Sequence, residues 1–193
     1  MNDNIIKPEI GYIDNIISKF VYETIDFWYN IGFTPNMLTT LGLVSSILCV
    51  YFFWKKNSIL AIIFLLLRCY FDYADGMLAR KYKQVSKFGD YYDHITDIFG
   101  FAIPIIIVLL CNKNKSKWIY LVILLIFMYF TSVQIGLQEI AHEEKTGENN
   151  TSLNLSKKLA KWSIIPNKIL KYVDNGTMYV ILTVIIILMC NNK

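Results

Sequence analysis

Long apolar runs alternate with short polar breaks along this chain. Runs near Met37–Trp54, Ser58–Leu78, Ile95–Cys111, Trp118–Leu137 and Thr177–Cys190 each hold about 15 to 20 residues, the length a helix needs to cross a bilayer. Ahead of the first run, Ile13, Ile16, Ile17, Phe20, Val21, Phe27, Trp28 and Ile31 recur at helical spacing, with Asp14, Asn15, Ser18, Lys19, Glu23 and Asp26 on the other side. This periodicity predicts an amphipathic helix in the membrane interface, within a juxtamembrane segment over residues 1–36. A weaker amphipathic stretch, Leu155–Tyr172, is broken at Pro166, and His142–Asn154 reads as a polar loop. The expected architecture is an all-α integral membrane protein of about five transmembrane helices plus the interfacial helix. A single domain is expected over residues 1–193.

One polar stretch does not fit a purely structural membrane chain. Residues 72–97 read DYADGMLARKYKQVSKFGDYYDHITD. They place Asp72, Asp75, Gly76, Ala79, Arg80, Gly89, Asp93 and Asp97 at fixed intervals. Carboxylates beside a bilayer are expensive, so a functional role is the default. On a helix, Asp72, Asp75, Gly76 and Ala79 share one face, with Arg80 one position around; Gly89, Asp93 and Asp97 form a second stripe at steps of four. Two facing helices would each offer two carboxylates, which repel unless a cation lies between them. Hard oxygen ligands without Cys or His at matched spacing favour Mg²⁺ or Mn²⁺ over Zn²⁺. Four carboxylates suit two such ions, an arrangement fitted to in-line phosphoryl displacement.

Composition agrees. The mean hydropathy of +0.41 and the 55% hydrophobic content are too high for an ordinary soluble domain. Residues 1–10 include Asp3, Lys7, Pro8 and Glu9 and lack the apolar core of a cleavable signal peptide. Cys49, Cys69, Cys111 and Cys190 all fall in or at the ends of runs and read as packing residues. Twelve Lys and Arg lie in connecting segments on the motif side against six on the other. That bias places the motif and the amino terminus in the cytoplasm, where the sequons at Asn149, Asn150, Asn154 and Asn175 carry no meaning. No nucleic-acid partner is expected.

The pattern D-x2-D-G-x2-A-R-x8-G-x3-D-x3-D resembles the signature of the CDP-alcohol phosphotransferase (CDP-alcohol phosphatidyltransferase) family at every fixed position. Thr34–Gly42, TPNMLTTLG, resembles the start of that family's first membrane helix. The resemblance implies transfer of a substituted phosphate from a CDP-linked donor, CDP-diacylglycerol first, to a lipid, polyol or amino-alcohol hydroxyl, with release of CMP. It implies that Asp72, Asp75, Asp93 and Asp97 hold two Mg²⁺ or Mn²⁺ ions and that Asp97 is the general base. Gly76 and Ala79 would let the nucleotide approach closely, and Arg80 would pair with a phosphate. Gly89 lies on the second stripe, at the substrate. The resemblance places Asn36 and Thr39 near the nucleotide or metal; the alternative is a helix cap after Pro35. The Asp93-His94 pair is similar to the choline and ethanolamine branch, where such a histidine assists proton removal; the alternative is an interfacial histidine without a role. Arg68, deep in the second run, needs a partner, and Asp72 at i+4 is the nearest.

Members commonly have six membrane helices where five runs are evident here, so a partial helix within Leu155–Tyr172 and a homodimer contact both stay open. Lys157, Lys158 and Lys161 could bind an anionic acceptor or lie on anionic lipid. The alternatives to CDP-diacylglycerol chemistry are a CDP-choline or CDP-ethanolamine:diacylglycerol phosphotransferase, or a silent membrane protein that binds nucleotide or lipid. A carboxylate-lined cation pathway would not need the Gly-x2-Ala-Arg insert.

Overall fold

The computed structural model describes residues 11–110, 117–147 and 153–191. Expectations for Asp3, Lys7, Pro8, Glu9, Cys111, Asn149 and Asn150 lie outside the described residues. The elements are all helical: α1 (Tyr12–Asn30), α2 (Pro35–Trp54), α3 (Ser58–Lys81), α4 (Lys87–Leu110), α5 (Lys117–Thr146), α6 (Asn154–Trp162), α7 (Asn167–Leu170) and α8 (Asn175–Asn191).

Local chemistry sets the boundaries. Gly32, at φ 86°, lets the chain leave α1 in the left-handed region. Thr34 then caps α2, its Oγ1 accepting from Met37 N at 3.4 Å, with Pro35 at the first helical position. Asn57 caps α3 by accepting from Leu60 N at 3.1 Å. Ser86 starts α4 by accepting from Gly89 N at 3.0 Å, and Asp174 starts α8 by accepting from Thr177 N at 2.8 Å.

Helices occupy all five expected runs. Among the described residues α2, α4 and α5 are long and apolar enough to cross a membrane, while α8 is a shorter apolar helix. α3 carries Arg68, Asp72 and Asp75 in its second half, so its apolar part alone is short. α2 packs extensively on α3 and also on α4, so it stands between the two helices that bear the motif. Away from the motif, Cys49, Leu65, Ile107, Leu124 and Ile186 form a buried core drawn from α2, α3, α4, α5 and α8. Ile47, Ile63, Leu66, Val122, Ile126 and Val184 are exposed on the outside of the same helices, which gives the bundle a lipid-facing surface.

Two expectations change. Helix α5 runs through His142 to Thr146, so the beginning of the expected loop is helix. The polar side of α1 is also not uniformly solvated: Asp14 and Ser18 are buried, whereas Ile16, Phe20, Phe27 and Ile31 are exposed. Helix α1 packs on α3 and α8, with Val21 and Ile25 buried against Leu38, Phe71, Met77 and Leu78. Asp14 is turned inward because α8 begins beneath it and donates Gly176 N to its carboxylate at 2.6 Å.

Candidate active site

Every site residue expected from the sequence lines one cavity of about 800 Å³. Asn36 and Thr39 come from α2. Asp72, Asp75, Gly76, Ala79 and Arg80 come from α3, and Gly89, Asp93, His94 and Asp97 from α4. The wall is built as the stripes imply. On α3 the i, i+3, i+4 series faces inward, and the steps of four on α4 face it.

Asp72, Asp93 and Asp97 each present a carboxylate oxygen such that all three lie within 4.8 Å of one another. Asp75 stands apart from that group. It is buried, and its Oδ2 accepts from Thr39 Oγ1 at 2.6 Å. Because Thr34 supplies the cap of α2, Asn36 and Thr39 are left to serve the cavity. Asn36 Oδ1 lies 3.0 Å from where a Cβ on Gly89 would sit, so glycine there permits the approach of α2 to α4. Similarly, the Arg80 guanidinium lies over Gly76, 3.1 Å from the position of an added Cβ, and its charged neighbours are Asp75, Glu139 and Asp93.

Arg68 ties the two motif helices together. Its guanidinium lies 2.8 Å from Asp72 Oδ1, the i+4 pairing expected, and donates to Asp97 Oδ1 at 3.0 Å. Gly42 on α2 and Gly100 on α4 leave the room for it: an added Cβ at either would come within 3.0 Å of a guanidinium nitrogen. His94 Nδ1 is 2.8 Å from the carbonyl oxygen of Asp90, while its buried Nε2 has no hydrogen-bond partner among the described residues.

Residues 33–190 match the family described as CDP-alcohol phosphatidyltransferase. The chain belongs to this family. Among curated relatives it is 40% identical over 81 residues to an archaetidylinositol phosphate synthase of Pyrococcus horikoshii, covering 38% of this chain and 43% of that protein. It is 32% identical over 132 residues to a CDP-diacylglycerol--glycerol-3-phosphate 3-phosphatidyltransferase of Cereibacter sphaeroides, covering 66% of this chain and 56% of that one. An uncharacterised protein of Aquifex aeolicus is 35% identical over 99 residues, covering 51% and 47%. The chain thus spans about half the length of the curated relatives it matches.

Part of the cavity wall was not foreseen from the sequence. Ser132, Gln138, Glu139 and His142 of α5 line it opposite the motif, and Glu139 is buried. The signal was present, since Gln134, Gln138, Glu139 and His142 recur at helical spacing. Averaged hydropathy hides it, because the rest of α5 is so apolar. Asp14 and Ser18 of α1 and Asn175 at the start of α8 complete the wall. Burial and the neighbouring Asp174 push the Asp14 carboxyl up to about 6.

The donor set fits a divalent cation. Three half-buried carboxylates meet at one point, all their ligand atoms are oxygens, and Arg68 is in direct contact with two of them, Asp72 and Asp97.

Proposed function

We propose that this chain transfers a substituted phosphate from a CDP-linked donor, CDP-diacylglycerol first, to an acceptor hydroxyl with release of CMP, as a step of phospholipid synthesis. The observation that carries the reading is the meeting of Asp72, Asp93 and Asp97 within 4.8 Å at the wall of a cavity large enough for a nucleotide.

Asp72, Asp93 and Asp97 would hold Mg²⁺ or Mn²⁺, with Asp75 in support, and two ions suit the set. When bound, such ions neutralise the diphosphate and the departing CMP oxygen. The protein supplies position and proton transfer. Asp75, fixed by Thr39, keeps the first stripe of α3 turned toward the cavity. Arg80 projects a forked donor over Gly76, where a phosphate of the donor can be paired. Asp97 shares one oxygen with Arg68, and its remaining lone pairs can take the proton of an acceptor hydroxyl within hydrogen-bond reach. The lysine and arginine bias of the sequence supports a cavity opening to the cytoplasm, where CDP-linked donors are made.

The relatives' names support a phosphorylated polyol, such as glycerol 3-phosphate or an inositol phosphate, as first acceptor to test. Lys87 and His142 line the cavity and can meet its charge. The buried Nε2 of His94, unpartnered among the described residues, favours one second reading, an aminoalcohol phosphotransferase in which histidine takes the proton. The test is CMP release by the purified chain with Mg²⁺ or Mn²⁺. CDP-diacylglycerol is offered with glycerol 3-phosphate, inositol phosphate, inositol or serine, and CDP-choline or CDP-ethanolamine with diacylglycerol. Turnover with CDP-diacylglycerol supports the first reading, turnover with CDP-choline or CDP-ethanolamine the second. No CMP from any pair sinks both and leaves a silent nucleotide- or lipid-binding protein.

A further inference from the structure

The segment joining α5 to α8 is neither a span nor an ordinary loop. Helix α6 has nine residues and ends four residues before Pro166. At about 1.5 Å per residue it covers less than half of a hydrocarbon core about 30 Å thick. Leu153, Leu155 and Ser156 line the cavity, and the exposure of Leu155 puts it at the rim.

Its orientation is fixed from inside. Gly136 on α5 lets the α6 backbone come so close that an added Cβ would strike the carbonyl of Ser156. Ala160 is buried against Val133, and Lys157 turns inward to Glu143 at 2.6 Å. Leu170 is buried in the same small core, and with that face fixed several other side chains of the segment point away from the protein. Trp162 is 78% exposed and Ile164 is 97% exposed, and Ile169 and Tyr172 are largely exposed as well. Lys158, Lys161, Lys168 and Lys171 are exposed among them. Residues 153–172 contain five lysines and no Asp or Glu. Tyr172 stacks on Tyr12 at 4.9 Å, which continues the surface onto the exposed Ile16 of α1.

We propose that residues 153–172 form an in-plane anchor at the cavity rim that binds the headgroups of anionic phospholipids. Aromatic and aliphatic side chains interleaved with lysines suit the boundary between headgroups and acyl chains. The lack of any acidic residue makes the charge complementary to an anionic leaflet. The proposal does not depend on the catalytic reading.

The test uses the full chain reconstituted in phosphatidylcholine vesicles doped with brominated phosphatidylcholine or brominated phosphatidylglycerol. Fluorescence quenching assigned to Trp162, by difference from Trp162→Phe, reports which lipid contacts the segment. Quenching by both lipids is expected, with brominated phosphatidylglycerol preferred by roughly five-fold or more, the scale of one lysine at an anionic surface. Replacing Lys158, Lys161 and Lys168 together by Gln should bring that preference to parity while quenching by phosphatidylcholine persists. Equal quenching by the two headgroups in the wild type, or a preference unchanged in the triple variant, overturns the anionic anchor. Absence of any Trp162 quenching overturns the anchor altogether and points to a soluble partner.

Discussion

Asp97 and Asp14 show how two carboxylates near one cavity can be set to different tasks. Asp97 is held by Arg68 and shares its oxygen cluster with Asp72 and Asp93. Asp97→Asn keeps the size and one acceptor oxygen but cannot take a proton. Transfer is expected to fall by at least about a hundred-fold, the scale of a lost general base, while binding of the CDP-linked donor changes little in equilibrium dialysis. An equal loss of binding would make Asp97 chiefly a cation ligand. Asp14 has no place in that chemistry. Its neighbours are Asp174, Tyr73, Gln138 and the backbone N–H of Gly176. Its carboxyl is raised to about 6 from an ordinary 3.8, so the fold binds that proton more tightly than the unfolded chain. The resulting stability is present in full below about pH 4 and disappears as pH rises through about 6, a change of roughly 2–3 kcal/mol. Thermal unfolding in detergent should therefore show Asp14→Asn flattening the pH dependence between 4 and 6. A slope identical to wild type would remove Asp14 as its source.

At the level of helices, spacing made the motif legible and averaging concealed its surroundings. The inward stripes of α3 and α4 follow from residue intervals alone, because eight polar or small positions stand out in apolar sequence. The pairing of Arg68 with Asp72 was legible for the same reason; its second contact with Asp97 was not, because it joins different helices. Nor were the turned-in Asp14 and the polar wall on α5, since each depends on which helix packs alongside. Close approach is likewise a tertiary fact, and glycine is its only trace in sequence. At Gly100, the bulk of a Gly100→Val side chain meets Arg68 and should displace it from Asp97. A misplacement of this kind costs about a hundred-fold in rate, read as a fall in turnover with the helical circular dichroism retained. At Gly136 a side chain meets backbone instead. Gly136→Leu should lower stability by about 1–3 kcal/mol, the range for overpacking, and leave Mn²⁺ binding to the aspartates unaltered by electron paramagnetic resonance. A fall in Mn²⁺ affinity would show that α6 shapes the aspartate cluster.

Across the whole molecule, the carboxylates that meet come from two helices held apart by a third. A cation at Asp72, Asp93 and Asp97 would therefore brace the α2–α3 pair against α4. Mn²⁺ at a hundred times its dissociation constant should stabilise the fold by about 2.7 kcal/mol. For a chain of this size that is a rise of roughly 5–10 °C in the unfolding midpoint. Asp93→Asn should abolish most of the rise, and a midpoint indifferent to EDTA would argue against the cation site. The clasp between α1 and α8 sets a further condition, this time on how the protein is made. The backbone of Asp14 is held by the side chain of Asp174, 160 residues later in the chain. A ribosome working at about 5–20 residues per second needs roughly ten to thirty seconds to cover that distance. Throughout that interval the first helix is finished and its apolar face can meet α2 and α3, but the α8 end that holds Asp14 does not exist. The exposed Ile16, Phe20 and Phe27 give it a place to wait, lying on the surface of the bilayer. The wall of the cavity that contains Asp14 and Ser18 thus closes last, only after the helix that begins at Asn175 has been synthesised.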